Sequence, residues 1–252
     1  MEKEIKNIIK EKYKEIATEN CGCCCSSKNN EDVSKKIGYS DNDINFGTGA
    51  NLGLGCGNPV AISKIKEGDI VLDLGCGAGF DCFLASKKVG ETGKVIGVDM
   101  TEEMIEKAKI NSKKLNIKNT EFILGEIEDL PIKDNSIDII ITNCVINLTP
   151  DKAKTFKEAY RVLRNKGKMY LSDIVLLEEL SEKQKNDEDL LCGCVAGALL
   201  KEDYLNKLKN AGFNVNILLE NKEISKQQYN GINLESITIE AIKNTIDNNK
   251  II

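Results

Sequence analysis

The stretch VLDLGCGAGFD, Val71 to Asp81, decides the fold. An apolar, β-branched run ends in an acid and opens at once into glycines spaced G-x-G-x-G. A strand that runs into such a turn with a helix behind it starts a strand–helix–strand unit. The dinucleotide fingerprint needs G-x-G-x-x-G, and position 80 is Phe80. An acid beside the turn suits a cationic ligand better than a pyrophosphate, for which the turn and the helix N-terminus form an anion site.

Outward from that turn the pattern alternates. Strands are predicted over 69–74, 94–99, 121–125, 136–142 and 168–174. Helices separate them: one to about Val89, one capped by Thr101, one over 150–163. The alternation predicts an α/β fold, a doubly wound and mostly parallel sheet of Rossmann-like type covered on both faces. Residues 181–213 read as helical with a break near Cys192-Gly193-Cys194, and 214–243 as a closing pair of strands ending in a short helix. Upstream, Ile5, Ile8, Ile9, Tyr13 and Ile16 at helical spacing predict an amphipathic lid or packing helix. Residues 18–36 read as a mobile loop, and the glycine-rich FGTGANLGLGCGN (46–58) as backbone lying close to a ligand.

Two counts restrict the chemistry. The 252 residues include ten cysteines and no histidine. With no secretory signal evident, ten cysteines argue for metal, metalloid or redox work rather than a disulfide framework. The missing histidine removes Ser-His and Cys-His nucleophiles, histidine acid–base catalysis and every zinc site that uses imidazole. A net charge of −5 without a Lys/Arg block argues against a nucleic-acid partner. The longest apolar stretch, 190–200, is too short to span a bilayer, so no membrane partner and a cytoplasmic location are expected. A monomer is expected.

The carboxyl ends of the strands are where such a sheet binds its ligand. Asp99 ends the second strand, where a carboxylate can accept both ribose hydroxyls. The set Asp73, Gly75, Gly77, Gly79 and Asp99 resembles the class I S-adenosylmethionine-dependent methyltransferases. The resemblance implies S-adenosyl-L-methionine as cofactor, with Asp73 and the glycine loop, Cys76 included, on its methionine part. It also implies Asp99 on the ribose, Met100 against the adenine, and Glu126 and Ile127 at the adenine edge.

The run TNCVINL (142–148) ends the fourth strand, where this class faces the transferable methyl group. Taken alone, Cys144 reads equally well as a small buried hydrophobe. It is not alone, because Cys56, Cys192, Cys194 and the tail thiols Cys21, Cys23, Cys24 and Cys25 can reach the same face. Soft thiolates select soft, thiophilic ions. TNCVINL, EAYRVL, GCVAGAL, NLGLGCGNP, LDLGCGAGFDC and GVDMT together resemble the arsenite S-adenosylmethionine methyltransferases across roughly 39–213. The resemblance implies that Cys144 and Cys194 hold trivalent arsenic, with Cys56 as a third thiol and one of Cys21, Cys23, Cys24 or Cys25 as a further one. Asn143 is expected beside the cofactor, while Asn147 only shapes the turn. The implied activity is methylation of arsenite or another trivalent arsenical, as a detoxification reaction, with a thiol reductant of thioredoxin or glutathione type as co-substrate.

Three segments are expected. Residues 1–38 form an N-terminal helix and cysteine-rich mobile segment, 39–180 the cofactor-binding core, and 181–252 the arsenic-site helices and closing strands. Among the remaining thiols, Cys76 reads as a spacer, Cys82 as packing, and Cys192 as either an auxiliary ligand or a bystander. Two other functions compete: a class I methyltransferase of a small organic acceptor, and a non-catalytic thiol module for soft metals.

Overall fold

A computed structural model of the protein describes residues 2–19, 30–229 and 231–244. In chain order the elements are α1 (Glu2–Glu19), α2 (Asn30–Lys36), α3 (Asp41–Phe46), α4 (Pro59–Ile62), β1 (Ile70–Leu74), α5 (Phe80–Val89), β2 (Lys94–Asp99), α6 (Glu102–Lys114) and β3 (Thr120–Leu124). There follow β4 (Ile137–Asn143), α7 (Lys152–Val162), β5 (Leu163–Leu176), α8 (Glu182–Lys185), α9 (Glu188–Cys192), α10 (Lys201–Asn210), β6 (Phe213–Asn221), α11 (Glu223–Gln228) and β7 (Leu234–Lys243).

One seven-stranded sheet orders these strands β3-β2-β1-β4-β5-β7-β6. The first five are parallel, while β7 runs antiparallel to both β5 and β6. Successive residues of a strand point to opposite faces, and both faces of β1 are buried, so its apolar residues divide between two cores. Val71 packs with Phe83, Ile141 and Tyr170 on one face. Leu72 and Leu74 pack with Phe156, Leu171 and Tyr204 on the other. The chain winds outward from β1 in one direction and from β4 in the other. The crevice between their carboxyl ends is therefore the topological switch point at which such sheets take ligands.

Three expectations are corrected. The segment 18–36 is not all loop: Asn30–Lys36 is helical, with Glu31 and Asp32 in the first turn and Lys35 and Lys36 in the last, matching the helix dipole. Residues 20–29, which carry the tail cysteines, lie outside the described residues. Thr101 stands at the N-cap of α6 without a side-chain cap bond. The Asp99 carboxylate instead accepts the Thr101 N–H at 2.9 Å, which joins the helix start to the strand end before it. The short helix predicted after the closing strands lies between them as α11, because Ile224 is drawn into the apolar cluster around Cys56, Cys144 and Cys194.

Among the described residues no helix is long and apolar enough to cross a membrane. The edge strand β6 leaves Ile217, Leu218 and Leu219 exposed, whereas Phe156 is fully buried against Tyr204 in an edge-to-face contact at 5.5 Å. Phe156→Ala is therefore expected to cost about 3–5 kcal/mol in urea unfolding. Leu218→Ala on the exposed edge should stay within about 0.5 kcal/mol.

Candidate active site

The carboxyl ends of β1 and β2 make one end of a cleft of about 240 Å³. Gly75, Gly77 and Gly79 take φ of 71°, 51° and 93°, the left-handed region that favours glycine. A Cβ on Gly77 would meet only the Met104 sulfur at 4.0 Å, so the turn leaves open space above its backbone. Asp99 bridges the turn, accepting Gly77 N–H and Thr101 N–H at 2.9 Å each. Burial raises its pKa against the pull of these bonds.

Asp73 is buried beside Asp81, and burial together with the like charge of Asp81 lifts its carboxyl well above the usual range. Burial lifts Asp81 to about 6. Among the described residues the only basic one lining the cleft is Lys6 of α1, and Glu126 at 2.6 Å and Glu128 at 3.0 Å engage it. Asp73, Asp81 and Asp99 face the cleft, the first buried and the other two half-buried, and among the described residues none of them has a cationic partner. That donor set fits a cationic ligand carrying a diol, as S-adenosylmethionine does, and offers nothing to a pyrophosphate.

The same cleft continues to Cys144 and Cys194. Cys144 leaves β4 with φ of 59° and Cys194 follows α9 with φ of 66°. Left-handed backbone is uncommon for residues with a Cβ and collects at functional sites. Cys144 N–H is held by the Ser172 carbonyl at 2.8 Å, and the Cys194 thiol donates to the Cys144 carbonyl at 2.8 Å. Cys56 comes from the glycine-rich segment ahead of α4. The ligand atoms of Cys56, Cys144 and Asp173 all lie within 4.8 Å of one another. Cys144 is hydrogen-bonded to the thiols of Cys194 and Cys56, which with burial keeps it well above the ordinary thiol range. Burial likewise raises Cys56. Three segments far apart in sequence thus bring buried thiols side by side, with Cys144 between Cys56 and Cys194.

The other predicted residues divide. Met100, Glu126, Ile127 and Asn143 all line the cleft. Every polar atom of the Asn143 side chain is already bonded to protein. Cys192 lines the cleft and is buried, with its thiol pushed up to about 11 by that burial. Cys76 sits over Gly97, where a Cβ would fall 2.8 Å from its side chain, a spacer's position. Cys82 does more than pack, since its thiol donates to Asp73 at 3.2 Å. Asn147 does more than turn the chain, donating to Asp173 at 2.9 Å and to the Ile174 carbonyl at 2.7 Å.

Several site residues were not singled out from sequence. Asp173 lies behind the thiols, fully buried, with Tyr204 donating to it at 3.0 Å. An acid inside the apolar run of β5 was the available signal. Ile9 of α1 is fully buried in the cluster that holds the three thiols, so the predicted packing helix roofs this site. Tyr39 and Asp81 carried no pattern that would have marked them.

A doubly wound sheet whose first two strands end in carboxylates around a glycine turn, opening on an acid-lined cleft, defines a class I S-adenosylmethionine-dependent methyltransferase fold. A family model described as a methyltransferase domain matches residues 65–212. The chain is 45% identical over 224 residues to the arsenite methyltransferase of Halobacterium salinarum, covering 83% of this chain and 57% of that protein. It is 37% identical over 188 residues to the human arsenite methyltransferase, covering 68% and 50%. The crystal structure of CrArsM, an arsenic(III) S-adenosylmethionine methyltransferase from Chlamydomonas reinhardtii, superimposes with a TM-score of 0.65. It is 34% identical and covers 86% of this chain and 74% of that one. The chain belongs to the arsenite methyltransferase family. It spans about half the length of the curated relatives it matches.

Asp173 gives the site a pH signature. Burial lifts its carboxyl to about 7, so between roughly pH 4 and pH 7 the folded protein holds a proton that the unfolded chain has released. Its contribution to stability is full below that window and falls as pH rises through it, by up to about 4 kcal/mol. Asp173→Asn removes the titration. In urea unfolding, the stability of this variant relative to the wild type should therefore rise from pH 5 to pH 8. A constant difference across that range would show that Asp173 is ionised throughout.

Proposed function

We propose that this protein is a methyltransferase of trivalent arsenic, using S-adenosyl-L-methionine and holding arsenite through Cys144, Cys194 and Cys56. The observation that carries the reading is that Cys144 stands between two other buried thiols, Cys194 beside it on the cofactor cleft and Cys56 behind it.

Asp73 and the glycine turn would hold the methionine part of the cofactor, Asp99 its ribose, and Met100 with the 125–128 segment its adenine. When bound, S-adenosylmethionine supplies an electrophilic methyl group on a sulfonium. The thiols load arsenite by exchange: each S–H proton leaves with an arsenic-bound hydroxyl as water, and one As–S bond forms. Three exchanges turn a neutral arsenite into a neutral tris-thiolate, so no net charge is buried among Ile9, Leu148 and Val195. The raised pKa values of Cys56 and Cys144 suit this exchange, because a protonated thiol brings the proton that each hydroxyl needs.

Arsenic held by sulfur keeps its lone pair, so transfer requires no general base, and a chain without histidine can support it. The thiols act by holding the nucleophile at close approach. Methylation formally removes two electrons from arsenic. Two thiols joining as a disulfide return them, and a thioredoxin- or glutathione-type reductant resets the pair. Cys56 and a tail cysteine are the candidates for that exchange.

Incubation with arsenite, S-adenosylmethionine and glutathione, followed by arsenic speciation, should yield methylated arsenicals. Cys144→Ser and Cys194→Ser should each lower turnover by about 100-fold or more, the scale set by misplacing a reacting atom. Both should still bind S-adenosylhomocysteine like the parent. Folded, cofactor-binding protein that makes no methylated arsenic would overturn the reading. Unimpaired serine variants would point to an organic acceptor instead.

A further inference from the structure

Asn143, the last residue of β4, stands directly before Cys144. Its Oδ1 accepts the Cys56 N–H at 3.1 Å, and its Nδ2 donates to the Gly57 carbonyl at 2.7 Å. One side-chain amide thus clasps the main chain on both sides of the Cys56 carbonyl carbon, as a neighbouring strand would. The glycines next to Cys56 allow the approach. A Cβ on Gly55 would fall 2.7 Å from the Asn143 Nδ2, and one on Gly57 would fall 2.5 Å from the Ser172 hydroxyl. Ser236 completes the hold, donating to the Cys56 carbonyl at 2.7 Å.

The orientation of the amide is fixed from the other side. Tyr39 donates its hydroxyl proton to Asp81 at 2.7 Å, which leaves its oxygen to accept from the Asn143 Nδ2 at 3.0 Å. The Asp81 Oδ2 stands a further 3.5 Å from the same nitrogen. With the NH2 group committed to Tyr39 and Gly57, only the carbonyl oxygen remains for Cys56. The side chain lines the cleft, yet both of its polar atoms are spent on the protein.

We propose that Asn143 is the positioning residue for the third arsenic ligand. It holds Cys56 against Cys144, braced by the Tyr39–Asp81 pair, rather than serving as a contact for the cofactor. The proposal rests on the arsenic reading above and concerns how that site is assembled. It makes Asn143 matter where three thiols are needed and not where two suffice. Arsenite has three exchangeable hydroxyls, whereas phenylarsenous acid has two.

The test titrates both arsenicals into wild-type protein, Asn143→Ala, Cys56→Ser and the double variant, following the near-ultraviolet absorption of As–S bonds. S-adenosylhomocysteine binding is measured alongside. Losing the two hydrogen bonds to the Cys56 main chain should weaken arsenite binding by about tenfold in Asn143→Ala. Phenylarsenous acid and S-adenosylhomocysteine should bind as to the wild type, and the double variant should be no worse than Cys56→Ser alone. Tyr39→Phe, which keeps the ring, should show the same pattern at about threefold and decides the matter if Asn143→Ala does not fold.

Equal losses for both arsenicals, a selective loss of S-adenosylhomocysteine, or additive effects in the double variant would overturn the proposal. Wild-type protein that binds neither arsenical would instead bring down the proposed function, and this inference with it.

Discussion

Cys144 leaves the sheet in a left-handed conformation that costs a residue with a Cβ about 1 kcal/mol, and the bonds that hold it there organise the rest of the site. Its N–H is anchored on β5 through the Ser172 carbonyl, and its own carbonyl receives the Cys194 thiol. Its neighbour Asn143 pins Cys56. One residue at the switch point thereby brings three distant stretches of chain, each carrying a thiol, side by side. Cys194 repeats the device at the end of α9, again at positive φ. Strain at two thiols, held by hydrogen bonds on every side, aims sulfur into the cleft instead of into the core.

Charge divides the cleft into two halves. At the β1–β2 end, buried Asp73 and half-buried Asp81 and Asp99 have no cationic partner among the described residues and hold protons more tightly than exposed acids would. A cationic ligand relieves that arrangement by pairing with the ionised carboxylates. At the β4–β5 end the thiols are ringed by Ile9, Leu148, Ile174 and Val195, an apolar setting that favours an uncharged ligand. Behind them the Asp173 carboxyl is spread over Asn147, Tyr204 and the Ile174 N–H. Burial lowers the nearby Lys152 to about 8, so it keeps most of its charge near neutrality while Asp173 is only partly ionised.

Local signals were enough to read the sheet. The β-branched run into G-x-G-x-G, the acid closing β2 and the regular return of helices name β1 to β5 and their order of use. That Cys144 and Cys194 line the cleft was foreshadowed by where each falls, one at the end of the fourth strand and the other at the break near Cys192-Gly193-Cys194. What escaped were contacts between elements. Tyr39 and Asp81 belong to separate segments, and only the fold turns them toward Asn143. Asp173 looked like one acid in a strand until its neighbours proved to be thiols. The helix at Asn30–Lys36 was masked by a polar composition, since charge matched to the dipole stabilises a short helix without an apolar stripe. The short helix near the end was misplaced because Ile224 packs against the thiol cluster between the two closing strands.

Arsenic K-edge absorption spectroscopy of the full chain loaded with one equivalent of arsenite tests the central claim most directly. Arsenic held by Cys144 together with Cys56 and Cys194 on either side predicts a first shell of sulfur only, three per arsenic. A shell that keeps oxygen, or holds fewer sulfurs, would contradict the account.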